Sequence, residues 1–144
     1  MKIVIDTNVV LSALFSKRGA SHTLMVWLFK QKKKYNVVSN TLVTEFEDVL
    51  TREKNIKLFN NLTKDSVLSF IDDICLISYH QSIHFLWRPF LKDKNDDMVL
   101  EVAVNANVDA IITFNPKDFE GVKENFDIEI LTPKEFLIQI GELR

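Results

Sequence analysis

The chain has 144 residues, 47% of them hydrophobic and 26% charged, with a net charge of −2. That length suits one domain whose core needs no covalent staples, burying roughly 68–70% of the unfolded surface. A single cysteine, Cys75, excludes an internal disulfide framework and a Cys-rich zinc site; no apolar run approaches the roughly 20 residues that span a bilayer. The mildly acidic balance is not that of the usual basic nucleic-acid binder, but it leaves room for a nuclease whose positive charge arrives as a metal ion.

In chain order, Lys2 is followed by Ile3-Val4-Ile5 and then Asp6, which reads as a buried strand and not as a cleavable leader, so the cytoplasm is the expected compartment. A helical period over 22–31 carries Leu24, Val26, Trp27 and Leu28. Residues 36–38 form the second strand-like run. The stretch 41–51 places Leu42, Val43, Phe46, Val49 and Leu50 on one helical side, with Asn40 or Thr41 available as cap. Residues 54–62 are less regular and either bend or join two helices. Thr63 opens a helix over 63–73. The apolar run 74–78, holding Cys75 as an inert core thiol, reads as a third strand. A long connection, 79–94, holds His80, His84, Trp87 and Arg88-Pro89. A helix over 96–106 leads to a strand at 110–113 and a last strand at 128–131. Thr132-Pro133-Lys134-Glu135 then opens a final helix with a cap, a proline at the first helical position and a capping-box glutamate.

Strands alternating with helices, and too continuously apolar for a one-sided sheet, predict a three-layer α/β/α sandwich on a parallel sheet of about five strands, a single domain over 1–144. Only three glycines are present, which argues against an all-β fold rich in tight turns. In such a sheet, sites form at the carboxyl ends of the strands. Asp6 follows the first strand directly. Asn115 and Asp118 follow the fourth, Glu45 lies about one turn into the helix after the second, and Asp96 and Asp97 begin the helix before the fourth. Each acid also has a plain structural reading. Asp6 and Asp118 cap neighbouring turns in that reading, Glu45 is a solvated helix residue, and Asp96 and Asp97 favour a helix dipole. Taken together they make a carboxylate constellation. Oxygen ligands without His or Cys favour Mg²⁺ or Mn²⁺ over zinc, and such a site suits phosphodiester hydrolysis. No GxGxxG, P-loop, Ser-His-Asp or HExxH pattern is present.

Four blocks in order resemble the PIN-domain family, in particular the VapC-like toxins of toxin–antitoxin pairs. They are "VIDTN" at 4–8, "SNTLVTEFEDVL" at 39–50, "DKNDDMVLEVA" at 93–103 and "AIITFNPKDF" at 110–119. The resemblance implies strand order 3-2-1-4-5 and a metal-dependent endoribonuclease, held inactive by an antitoxin and commonly dimeric. It implies Asp6, Glu45 and Asp96 as the catalytic and metal-binding acids, with Thr7, Asn8, Thr113 and Asn115 orienting ligands and waters and Asp97 and Asp118 as substitutes. Many members carry an Asp where this chain has Asn115, and that departure sustains a second reading, a catalytically silent module that binds RNA or protein. A phosphatase with Asp6 as nucleophile is disfavoured because Asn8 stands where a second Asp is needed. For RNA, the basic run with Lys32, Lys33 and Lys34, together with Arg18 and Arg88, supplies candidate phosphate contacts; the run also reads as an ordinary solvated helix end. Phe15, Trp87 and Phe90 are candidates for stacking, on bases or on partner side chains.

Overall fold

β-Branched, fully apolar triplets with no polar alternation are stable only where both sheet faces are covered. Strands β1 (Ile3–Ile5) and β4 (Ala110–Ile112) are wholly apolar, β2 (Asn36–Val38) is apolar after its first residue, and all three are buried at every residue. The computed structural model describes residues 1–59, 61–85 and 90–143. The strands form one five-stranded sheet, all parallel, in the order β3-β2-β1-β4-β5, as expected. The edge strands β3 (Ser78–His80) and β5 (Glu129–Leu131) are the partly exposed ones.

Helix α1 (Thr7–Phe15) packs on α2 (Ala20–Lys30) and on α3 (Asn40–Leu50). Helix α4 (Glu53–Leu58) and α5 (Lys64–Leu76) follow. Helix α6 (Lys94–Ala106) lies against β1, β2 and β4. A 3₁₀ turn (Pro116–Phe119), a short α7 (Val122–Phe126) and α8 (Pro133–Gln139) complete the described chain. The apolar side chains of these elements merge into one core cluster, with Phe46, Phe119 and Phe136 among its largest members. No described helix is long and apolar enough to cross a membrane.

Local chemistry sets most boundaries. Thr132 and Glu135 close the expected capping box, their side chains accepting from each other's backbone N–H at 3.2 and 2.9 Å. Thr63 caps α5, accepting from Ser66 N–H. Three expectations are corrected. The cap of α3 is Ser39, whose Oγ accepts from Leu42 N–H at 3.1 Å, so Asn40 and Thr41 already lie inside the helix. Helix α6 begins at Lys94, two residues earlier than expected, because Asp93 caps it by accepting from Asn95 N–H. The run 74–78 is not a strand. Ile74 continues the buried stripe of Val67 and Ile71, so the helix extends to Leu76 and the strand starts at Ser78. There Asn36 Nδ2 donates to Ser78 Oγ at 2.9 Å, matching the register of Asn36 with Ser78. Cys75 packs against the core, and burial, followed by the charges of Asp72 and Glu47, pushes its thiol up.

Candidate metal centre

β1 and β4 pair in register, Ile5 opposite Ile112. One step further, at the carboxyl edge, Asp6 therefore stands beside Thr113. Asp6 occupies the N-cap position of α1, but its side chain makes no cap bond. Instead Thr113 Oγ1 donates to Asp6 Oδ2 at 2.8 Å, and the same hydroxyl oxygen accepts from Asn115 N–H at 3.1 Å. Thr113 is wholly buried and Asp6 is 8% exposed. Burial pushes the Asp6 carboxyl up; the Thr113 hydroxyl and Thr7 backbone N–H pull it down, and the charges of Asp118 and Asp93 push it up again.

Glu45 reaches the same place from α3, the helix that packs on α1. Its carboxyl is raised first by burial and then by the charge of Asp6, with Thr7 opposing, Asp93 adding to the rise and Arg52 opposing. The Thr7 hydroxyl offsets part of the shift from nearby, yet neither Thr7 Oγ1 nor Glu45 Oε2 makes a hydrogen bond of full geometry, and both atoms are buried. Asn8 Oδ1 is a third buried polar atom without a partner at this end of α1. Such atoms are costly unless something else satisfies them.

Asp96 sits in the first turn of α6, partly buried. Its carboxyl is pushed up to about 7, by burial first and then by the charges of Asp6, Asp118, Asp93 and Glu45. The acids of the cluster thus repel one another across a partly dry edge. Asp118 contributes its charge from the 3₁₀ turn, while Asn115, exposed and neutral, contributes only its backbone N–H. Among the described residues, no group of three or more His, Cys, Asp or Glu is drawn together closely enough to hold a metal ion as it stands.

Asp97 has a different place from its neighbour. It is 1% exposed, and its Oδ1 accepts from Phe90 N–H at 3.2 Å and Leu91 N–H at 2.8 Å, clamping the segment that leads into α6. Asp93, not singled out in the sequence, acts on Asp6, Glu45 and Asp96 alike. The signal for it was the cap pattern of an Asp two residues before Asn95.

The candidate RNA contacts fall elsewhere. Lys32, Lys33 and Lys34 precede β2 and lie at the amino edge of the sheet, across a strand roughly 10 Å long from the acids. Arg18 follows the nine-residue α1, about 13 Å of helix away from Asp6. Arg88 and Trp87 lie outside the described residues. Arg18 instead rims a groove of about 720 Å³ with Lys17 and His22, its walls including Phe15, Met25, Phe29 and Phe70. Phe15 and Phe90 are each paired with another ring, Phe59 at 5.0 Å and Phe126 at 5.3 Å. His80 and His84 hold backbone and Asn105 contacts respectively.

A sequence profile of the family described as "PIN domain" matches residues 2–117. No curated protein matches the sequence. Among solved structures, VapBC2 from Rickettsia felis bound to a DNA fragment from its promoter is similar, with 14% identity and a TM-score of 0.61 over 92% of this chain and 98% of that one. At that identity the likeness concerns the fold.

Proposed function

Because the chain belongs to the PIN-domain family, we propose that it is a metal-dependent endoribonuclease, the toxin of a toxin–antitoxin pair, hydrolysing RNA phosphodiesters with Mg²⁺ or Mn²⁺ at its acid cluster. The observation that most favours this is the convergence of Asp6, Glu45 and Asp96 on one sheet edge, where their charges repel and Glu45 Oε2 is buried without a partner. A divalent cation answers both features, and an all-oxygen donor set suits these two ions.

In this reading Asp6 and Asp96 hold the cation and Glu45 joins them directly or through water. The cation, when bound, neutralises phosphate charge and acidifies the attacking water. Thr113 Oγ1 holds Asp6 through Oδ2, and the Thr7 backbone N–H also favours the charged carboxylate. Glu45 Oε2 would accept the proton of the water. Asp97 is occupied by two backbone amides and holds the α6 entry in position. Asp118 supplies charge that Asn115 does not.

The similarity to VapBC2 is the ground for an antitoxin partner. The groove beside α1 and α2, apolar within and basic at its rim, offers that partner or a second copy of the chain a surface. A catalytically silent RNA- or protein-binding module is favoured by neutral Asn115. One experiment separates the two readings. Purified chain is incubated with RNA in Mg²⁺ or Mn²⁺ and in chelator, beside the double variant Asp6→Asn with Asp96→Asn. Metal-dependent cleavage that the double variant loses is expected. Cleavage that survives in the variant overturns the site, and its absence from wild type overturns the nuclease.

A further inference from the structure

The acid cluster attracts a cation and repels a phosphate chain, so part of the affinity for RNA must come from another place on the molecule. The groove beside α1 and α2, of about 720 Å³, has the chemistry for it. One end is cationic, lined by Lys17, Arg18 and His22. Arg18 N–H donates to Ser16 Oγ at 3.2 Å, which holds the turn that carries both cations. Among the described residues neither Lys17 nor Arg18 forms an ion pair, and no acid lines the groove in a chain that has 20. Helix α2 starts at the same end. Gly19 caps it without a side chain and its first turn holds no acid, so its orphan N–H groups add positive potential there.

The rest of the groove is apolar. Met25, Val26 and Phe29 follow His22 at helical spacing along one face of α2, and Phe15 and Phe70 line the groove from α1 and α5. Phe15 is 41% exposed and Val26 and Phe29 are each 37% exposed, so an occupant releases water from apolar surface. Such an occupant is anionic at one end and apolar or flat at the other, and a nucleotide is both. A second copy of the chain is disfavoured, because a two-fold contact through the groove brings unpaired cations together with no groove acid between them. Position favours RNA over other anions. The last residues of α1 form one wall, and the first residue of that helix follows Asp6. From Thr7 to Ala13 the helix rises ~9 Å. About three nucleotides cover that distance at the ~3.4 Å rise of a stacked strand.

We propose that this groove is a second RNA contact, an exosite that takes one base among its apolar walls and the adjoining phosphate at Lys17, Arg18 and the start of α2. With a nucleotide held there, the bond that reaches the acid cluster is the one about three nucleotides away. The groove thereby sets which bond is cut. The choice of bond rests on the ribonuclease reading above; the binding does not. Aromatic contact with one base accounts for roughly 5- to 150-fold in affinity.

The test is equilibrium binding of a labelled short oligoribonucleotide in chelator, where no metal-dependent cleavage occurs, over a range of salt. Wild type is compared with Lys17→Gln plus Arg18→Gln, with Phe29→Ser and Phe29→Tyr, and with Lys32, Lys33 and Lys34 all changed to Gln. Thermal unfolding and sedimentation are the controls. The double Gln variant, whose changes are at the surface, is expected to bind at least fivefold more weakly. Its slope of log affinity against log salt falls by about 1.4, two phosphate contacts at ~0.7 each. Phe29→Ser loses about fivefold or more at an unchanged slope, Phe29→Tyr restores it, and the triple Gln variant behaves as wild type. An abasic position walked along the RNA weakens wild type at one place and leaves Phe29→Ser unaffected. In Mn²⁺ the groove variants raise KM with little change in kcat, and that abasic place lies about three nucleotides from the cleaved bond. No binding in chelator, a double Gln variant with wild-type affinity and slope, or an abasic walk without effect overturns the exosite. Groove variants that change only self-association make the groove a protein interface and overturn it too. Wild type that binds RNA through the groove but never cleaves it overturns the nuclease and leaves the exosite standing.

Discussion

Removing the charge of Asp96 should stabilise this protein when no divalent cation is present. The carboxyl stands at about 7 against an ordinary 3.8 because burial and four neighbouring acids penalise its charged form. The folded chain therefore binds this proton more tightly than the unfolded chain. Stability contributed by the protonated form is fully present below the unfolded value and is lost as pH rises towards 7. Unscreened, that shift corresponds to roughly 4 kcal/mol, but solvent screening of a partly exposed group reduces it to about 1–2 kcal/mol. Asp96→Asn also gives up a favourable charge in the first turn of α6, about 0.3–1 kcal/mol. The net expectation at pH 8 in chelator is a gain of about 1 kcal/mol, a rise in Tm of about 2–4 °C for a chain of this size. At pH 5 the folded wild type holds the proton while most of the unfolded chain has lost it, so the gain is smaller than at pH 8 and vanishes only below the ordinary 3.8. Saturating Mg²⁺ or Mn²⁺ reverses the order: at about 100 times Kd wild type gains roughly 2.7 kcal/mol, and the variant gains less. Thermal unfolding across pH 5–8.5, with chelator and with metal, reads all three. A variant less stable than wild type at pH 8 in chelator, or a difference that does not change with pH, would refute the account of the acid cluster.

Thr113→Val removes the hydroxyl that Asp6 accepts from and should cost about 1.5–3 kcal/mol at pH 8, and less as pH falls and the carboxyl takes up its proton; denaturant melts at pH 8 and in acid measure it, and an equal loss at both counts against the Thr113–Asp6 bond. Asp97→Ala should leave Phe90 and Leu91 N–H without their acceptor and lower stability by about 1–3 kcal/mol. Hydrogen exchange should quicken at those two amides first, and unchanged protection there contradicts the clamp. Replacing Lys32, Lys33 and Lys34 together by Gln should leave the salt dependence of RNA binding as it was, because the run lies on the far edge of the sheet. Each single-strand phosphate contact adds about 0.7 to the slope, so a fall of about 2 would show that RNA reaches that edge.

The sequence alone carried the features that depend on near neighbours in the chain. Strands β1 and β4 are legible because an all-apolar triplet followed by a polar residue has few other homes. The α8 capping box is legible because Thr132, Pro133 and Glu135 act within one turn. The acids Asp6, Glu45 and Asp96 are legible because alternation of strand and helix sends each to the same sheet edge, and the resemblance to PIN domains points to the same three. The register of the sheet decided what local pattern left ambiguous. Residues 74–76 are apolar enough for a strand, but they extend the buried stripe of α5, and Ser78 is placed by its pairing with Asn36. Asp96 and Asp97 are chemically identical and adjacent. A turn of about 100° per residue sends one towards the acid cluster and the other towards the amides of Phe90 and Leu91. Lys32, Lys33 and Lys34 form the densest basic run, yet the direction of β2 puts them across the sheet from the acids. Composition and spacing choose the residue types and the period; which group meets which across the sheet is a property of long-range pairing, and the chemistry of this edge depends on it.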